Sequence, residues 1–288
     1  MDNSTSIGGK LDYYLSDMWK VKDSRIAELP LIGSGPWMLL TFMSLYLLLA
    51  THISRTMKSR DGYFLRPIQI IYYGMMFGIH GIAVPIVLAL AHNPLETFRC
   101  NLNGLMANDF RGTMFIYAGL LYLLVKLVTC VDLLIFFWTK MHPKVTFGLL
   151  METILSPFIL YGEMKYYPGG IVYFPIALDC AVNAVKYGMS TRSCASDDLK
   201  PIANWEQIVH LLKCGQYVIS TLHSLYSLTI QNCDCPLGLR YSLLAFHGYL
   251  ALVYLFTDNS EAFQPDRPSK TLFSKGKLTA RKIDAKVN

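Results

Sequence analysis

Residues 144–157 read KVTFGLLMETILSP, and residues 165–170 read KYYPGG. The first stretch lies in an apolar window, residues 145–162, whose one charged side chain is Glu152. In the second stretch the paired glycines permit a tight reversal, because glycine has no Cβ and adopts conformations that other residues avoid. Together the two stretches predict a membrane helix that buries a carboxyl group and ends in a tight turn.

The whole chain has the composition of a membrane protein. Of its 288 residues, 53% are hydrophobic and only 16% are charged, and the mean hydropathy is +0.34. Soluble domains carry about 25% charged residues, so this balance predicts that most of the chain lies in lipid. We attribute the net charge of +6 to membrane topology and to attraction by lipid surfaces. No base-recognition motif indicates nucleic-acid binding.

Seven windows approach the roughly 20 apolar residues that a membrane helix needs. Only helices or closed barrels satisfy backbone polar groups in lipid, and these windows are too long for barrel strands. The predicted fold class is therefore all-α, a seven-transmembrane helical bundle. The windows are residues 29–52, 64–91, 113–138, 145–162, 170–189, 205–228 and 236–256.

Basic residues predict the orientation of this bundle. With a luminal N-terminus, fifteen Lys and Arg residues fall on the cytosolic side and seven on the luminal side, as the positive-inside rule requires. The expected organisation is a luminal segment at 1–28, a membrane domain at 29–263 and a basic, disordered cytosolic tail at 264–288. The first 28 residues are polar and show no cleavable signal peptide.

Six charged side chains lie deep inside the predicted helices, where charge is costly and is paired or functional. They are three cations and three anions: Lys126, Lys186, Lys213, Asp132, Glu152 and Asp179. Two interpretations stay open. The charges neutralise one another and fix helix register, or they surround a chamber for a polar head group.

Helical spacing sorts these polar residues into faces. Asp179, Asn183 and Lys186 follow at i, i+4 and i+7, on one face of the fifth helix. Lys126 and Asp132 are six residues apart and point in different directions, so we expect them to have different partners.

The sixth helix has a polar face of its own. Lys213 and Gln216 are three residues apart there, and His223 follows seven residues after Gln216. On the fourth helix, Glu152 is expected to meet a lysine from a neighbouring helix.

An ordered set of motifs, spread over about residues 55–263, resembles the very-long-chain fatty acid elongase (ELO) family. Lys126 and Asp132 match the first and last residues of the family's Lys-x-x-Glu-x-x-Asp pattern, while Thr129 stands in place of its glutamate. The other matching motifs are the Val-Thr-Phe of residues 145–147, Pro157, and the Tyr-Pro-Gly-Gly of residues 167–170.

The resemblance also identifies positions where this chain departs from the family pattern. The family's His-x-x-His-His box falls on Leu149, Glu152 and Thr153. In the fifth helix, the family's Asn, His and Met-Tyr fall on Asp179, Asn183 and Lys186-Tyr187, and a sixth-helix glutamine falls on Lys213. Gln216 and His223 match the family.

Members of that family are 3-oxoacyl-CoA synthases of the endoplasmic reticulum, which condense a long acyl-CoA with malonyl-CoA. The resemblance implies an acyl-chain tunnel inside the bundle, membrane lipids and long-chain acyl-CoA as partners, homo- or hetero-oligomers with other elongases, and neither a cofactor nor a metal. The substrate-binding residues implied are Lys126, Asp132, Tyr187, Lys213, Gln216 and His223.

The chemistry of the box depends on imidazole, which attacks a thioester and exchanges protons near neutral pH. Leu149 does neither, Thr153 needs an adjacent base, Asn183 does not titrate, and Glu152 offers a base or a poor nucleophile. Three hypotheses follow: a pseudoenzyme that binds lipid or regulates other elongases, a working elongase that uses Glu152, and a seven-helix receptor or transporter.

Two covalent modifications are expected in the lumen. Asn3 begins an Asn-Ser-Thr glycosylation sequon. Luminal cysteines persist as disulfides, and a bridge from Cys100 to the sixth–seventh loop involves Cys233 or Cys235. The Cys-x-x-Pro spacing of Cys233 and Pro236 resembles the family pattern and favours Cys233.

Overall fold

The computed structural model describes residues 24–33, 35–90, 110–139, 146–167, 170–195, 205–230 and 235–256. Within these ranges the regular structure is entirely helical, with no β-strand. A 3₁₀ turn, Gly170–Val172, precedes α7. The helices are α1 Ser24–Ala27, α2 Trp37–Met57, α3 Arg66–Leu90, α4 Phe110–Thr129, α5 Val131–Trp138, α6 Phe147–Tyr166, α7 Tyr173–Ala195, α8 Trp205–Thr229 and α9 Leu237–Phe256.

The seven predicted windows correspond to seven long helical segments, because α4 and α5 follow one another with only Cys130 between them. The all-α fold class is therefore confirmed. In the part of the chain that the structure describes, four segments are long and apolar enough to cross a membrane: α2, α3, Gly112–Trp138 and α9. The remaining three, α6 to α8, have 20 to 25 residues but contain most of the buried charges, and their crossing of the membrane stays a prediction.

The first long helix begins at Trp37, later than the predicted start at residue 29. Leu31 and Gly35 have positive φ angles of 71° and 98°, which are incompatible with a right-handed helix. Lys165 anchors this irregular segment to α6, since its Nζ donates to the Ile32 carbonyl at 3.0 Å. The residues between 29 and Trp37 are therefore apolar because they pack against the bundle, not because they form part of a membrane helix.

The outer surface of the bundle is apolar. Leu48 on α2, Ile71 on α3 and Leu222 on α8 are 65%, 72% and 61% exposed. A soluble monomer rarely exposes so much contiguous apolar surface, whereas lipid tails accept it. The polar groups of α6 to α8 are turned inward instead, which explains why these helices have a less apolar sequence.

The motif at 145–147 has a structural role at the start of α6. Thr146 is the N-cap residue, and its hydroxyl accepts a hydrogen bond from the Leu149 backbone N–H at 3.2 Å. Such a cap satisfies one of the free N–H groups of a helix start and contributes about 1 kcal/mol. It fixes where α6 begins and hence where Glu152 lies.

Helix packing places α7 next to α3 and α8, while α9 packs on α8 and α6, and α6 also contacts α4. The helix α2 lies against α5, where the Tyr46 hydroxyl donates to the Cys130 carbonyl at 2.9 Å. As a result, α4, α6, α7, α8 and α9 are arranged around a common polar centre.

Candidate functional site

Four buried charges from four helices form one ion-pair cluster, which we call the central cluster: Lys126, Glu152, Asp179 and Lys213. The Lys213 Nζ lies 2.7 Å from Glu152 Oε1 and 3.1 Å from Asp179 Oδ1. The Lys126 Nζ lies 2.6 Å from Asp179 Oδ2. All four side chains are less than a tenth exposed, and two cations balance two anions.

Neutral donors complete the coordination of Asp179. Asn183 Nδ2 donates to Asp179 Oδ2 at 2.8 Å, Gln216 Nε2 donates to Oδ1 at 2.8 Å, and the Tyr122 hydroxyl also donates to Oδ2. A buried carboxylate is stable only when its lone pairs are occupied in this way. Asp179 is therefore the anion on which the cluster converges.

Spacing along each helix explains this convergence. Side chains three or four residues apart lie on the same helix face, and on each of three helices one such pair contributes to the cluster. The pairs are Tyr122 with Lys126 on α4, Asp179 with Asn183 on α7, and Lys213 with Gln216 on α8.

Glu152 has both of its carboxylate oxygens engaged. Oε1 accepts from Lys213, and Oε2 accepts from the Tyr254 hydroxyl of α9 at 2.7 Å. Gly148, one turn before Glu152, leaves room for this tyrosine, since a Cβ there would come within 3.2–3.3 Å of the Tyr254 ring. The prediction that Glu152 meets a lysine from a neighbouring helix is confirmed.

A separate ion pair, outside the central cluster, links α5 to α7. The Lys186 Nζ lies 2.6 Å from Asp132 Oδ2, and the Tyr187 hydroxyl donates to the same oxygen at 2.9 Å. Lys126 and Asp132 thus have different partners, as their spacing predicts. The three cations and three anions recognised in the sequence pair completely with one another.

Two small cavities adjoin these charges among the described residues. A cavity of about 50 Å³ lies beside the central cluster and is lined by Tyr122, Ser156, Glu163 and Gln216, among others. A cavity of about 10 Å³ touches Glu152 and Thr153, which is the size of one water molecule. Small-molecule sites typically have about 300–1,000 Å³.

Comparison with known proteins places this bundle among its relatives. Residues 31–259 match the model of the ELO (GNS1/SUR4) family. The chain belongs to the ELO family. Very long chain fatty acid elongase 4 of Mus musculus is 21% identical over 269 residues, which cover 93% of this chain and 84% of the relative. Very long chain fatty acid elongase 1 of Mus musculus is 22% identical over 238 residues, covering 82% and 85% respectively.

The positions assigned by resemblance to the ELO histidine box differ in their surroundings. Leu149 is half-buried. The Thr153 hydroxyl donates to the Leu149 carbonyl at 2.7 Å, so its proton is directed at the backbone. Of the three positions, only Glu152 carries an ionisable group, and that group belongs to the central cluster.

The other predicted site residues lie in different places. Gln216 lies in the central cluster, and Tyr187 binds Asp132. His223 packs with its ring centroid 4.7 Å from that of Phe174. Two tyrosine donors of the central cluster, Tyr122 and Tyr254, were not predicted from the sequence. Tyr122 could have been found four residues before Lys126, whereas no local pattern indicates Tyr254.

Other predictions concern cysteines, glycosylation and metals. Asn3, Cys100 and Cys233 lie outside the described residues. Cys235 is a buried free thiol, and burial raises the pKa of this thiol to about 12. Within the described ranges, His, Cys, Asp and Glu side chains form no group of three that would hold a metal ion.

The ion pair between Glu152 and Lys213 is expected to dominate the stability of the core. Lys213→Met leaves a buried carboxylate without its cation and should cost about 3–5 kcal/mol of unfolding free energy. In the double variant Glu152→Leu/Lys213→Met, the remaining Lys126–Asp179 pair is neutral, so the loss should be smaller than the sum of the single losses. Unfolding in detergent micelles measures the two single variants, Lys213→Met and Glu152→Leu, and the double variant.

The exposed Lys58→Met serves as the matched control and should change stability by no more than about 0.5 kcal/mol. Strictly additive losses in the double variant would show that the two residues are not coupled and would contradict the ion pair.

Proposed function

We propose that this ELO protein is a lipid-binding or regulatory relative of the condensing enzymes that lacks efficient 3-oxoacyl-CoA synthase activity. The observation that carries the proposal is the engagement of both Glu152 oxygens, by Lys213 and Tyr254. This carboxylate is the one ionisable group at the positions that the resemblance assigns to the histidine box.

General base catalysis requires a lone pair within hydrogen-bond reach of the proton to be removed. Each Glu152 oxygen keeps a further lone pair, but a proton taken up by this carboxylate would cancel the negative charge that balances Lys213. Nucleophilic attack on a thioester carbonyl would give a mixed anhydride and expel the CoA thiolate. It would also remove the negative charge of Glu152, so that the buried Lys213 would keep Asp179 as its one anionic partner in the central cluster.

The departures from the family pattern also balance one another in charge. By resemblance, the residues at 152, 179 and 213 are neutral in the family, being His, Asn and Gln. Here they are two acids and one base, and Lys126 supplies the second cation. Isolated charges would each be costly in the membrane, whereas the four together are neutral. This favours a structural role for the cluster.

The alternative function is a working elongase in which Glu152 replaces a histidine. One observation favours it: a buried acid lies in direct contact with a lysine, 2.7 Å away, and paired titratable groups in a cavity are frequent in active sites. The receptor or transporter hypothesis has lost its support, since the ELO model covers residues 31–259.

A condensation assay distinguishes the two functions. Purified chain in lipid vesicles, given long-chain acyl-CoA and labelled malonyl-CoA, is expected to yield no more 3-oxoacyl product than its own Glu152→Gln variant. This near-isosteric change keeps one acceptor oxygen, replaces the other with an amide donor and removes the charge. Elongase 4 of Mus musculus serves as the positive control. Robust product that disappears with Glu152→Gln, or an acyl adduct found by mass spectrometry, would contradict the proposal.

We further propose residence in the endoplasmic reticulum membrane with a luminal N-terminus and a cytosolic C-terminus. The excess of Lys and Arg in the segments assigned to the cytosol supports this orientation. In microsomes, a glycosylation sequon appended after Asn288 should stay unmodified, while one inserted before Asp2 should be glycosylated. The reverse pattern of modification would refute the orientation.

A further inference from the structure

A third cavity lies between α3, α4 and α7, and Tyr122 of the central cluster forms part of its wall. Its volume is about 290 Å³, against about 50 Å³ for the cavity beside the cluster. This volume is close to the lower end of the range typical of small-molecule sites, about 300–1,000 Å³. The lining is almost wholly apolar and includes Ile79, Ala83, Ala118 and Ile176. Tyr122 and Ile176 line both cavities.

This lateral cavity reaches the outer face of the bundle. Ile82 of α3 and Leu121 of α4 line it, and each is 63% exposed. The outer face there is apolar, so the opening faces lipid tails rather than water. An occupant would enter sideways from the bilayer, and a large ionised head group would be excluded from this route by its desolvation cost.

One polar group in the wall lacks a partner. His80 is fully buried, and its Nδ1 lies 2.9 Å from the Met76 carbonyl oxygen. A carbonyl only accepts, so the neutral ring carries its proton on Nδ1 and presents a lone pair at Nε2. Nε2 is one of four buried side-chain atoms without a hydrogen-bond partner among the described residues, and His80 is the one residue of these four that lines this cavity.

We propose that the lateral cavity binds a neutral membrane lipid whose hydroxyl group donates a hydrogen bond to His80 Nε2. The acceptor character of Nε2 selects the chemistry of the occupant. Esters, thioesters and ionised carboxylates offer only acceptors, and a carboxylate would also bring an unpaired charge into an apolar wall. Long-chain alcohols, sterols and acylglycerols with a free hydroxyl share the required donor. This site does not depend on the presence or absence of condensing activity.

Photolabelling tests the site directly. Full-length protein in lipid nanodiscs is labelled with a diazirine analogue of hexadecan-1-ol, and peptides from α3, α4 and α7 are expected to carry the label. Unlabelled hexadecan-1-ol should compete at least tenfold better than hexadecyl methyl ether, which has the same chain but no donor. Cholesterol and a diacylglycerol, used as further competitors, identify which class of hydroxyl lipid binds best.

Two variants separate the hydrogen bond from the space. His80→Phe removes the acceptor and should reduce labelling at least tenfold, whereas His80→Gln, which offers an amide oxygen, should retain part of it. Ala118→Trp fills the cavity and should abolish labelling with His80 intact, which keeps the test valid if His80→Phe does not fold. The exposed His52→Phe is the control and should label as wild type.

Equal competition by the ether and the alcohol would overturn the proposal, because the donor would then contribute nothing. Labelling that persists in folded Ala118→Trp, or that maps outside α3, α4 and α7, would overturn it as well.

Discussion

The bridge that Lys213 forms between Glu152 and Asp179 is the interaction on which the interior of this bundle depends. One ammonium group on α8 neutralises carboxylates from α6 and α7, and Lys126 of α4 supplies the second positive charge. Because unpaired charges are costly inside a membrane protein, the four helices that carry them are held in one register. The cluster therefore determines which faces of α4, α6, α7 and α8 point inward and leaves apolar faces for lipid.

The same bridge restricts what the site can do chemically. A group that carries an acyl chain or removes a proton must exchange partners during a reaction cycle. Here each carboxylate oxygen of Glu152 and Asp179 already accepts a hydrogen bond. Structural stability and reactivity make opposite demands on these oxygens, and their geometry favours stability. The lateral cavity differs in this respect, since His80 Nε2 in its wall has no hydrogen-bond partner among the described residues.

Much of this architecture could be predicted from the sequence. Apolar windows located the seven long segments, and helical spacing assigned separate partners to Lys126 and Asp132. The bridging role of Lys213 could not be predicted, because it depends on how α6 and α7 approach α8. Tyr254 and the vacant Nε2 of His80 were also missed, since a hydrogen bond across helices, or the lack of one, leaves no local pattern. The irregular start before Trp37 was missed because apolar residues pack there without forming a helix.

Restoring imidazoles at the positions of the box tests the central claim most directly. The fourfold variant Leu149→His/Glu152→His/Thr153→His/Asn183→His leaves Lys126 and Lys213 facing Asp179 alone and should be destabilised by the excess cation. Adding Lys213→Gln restores neutrality. We predict that the fivefold variant is more stable than the fourfold one and forms 3-oxoacyl-CoA at least tenfold faster than wild type. A fivefold variant that folds stably and yields no product above wild type would contradict the account.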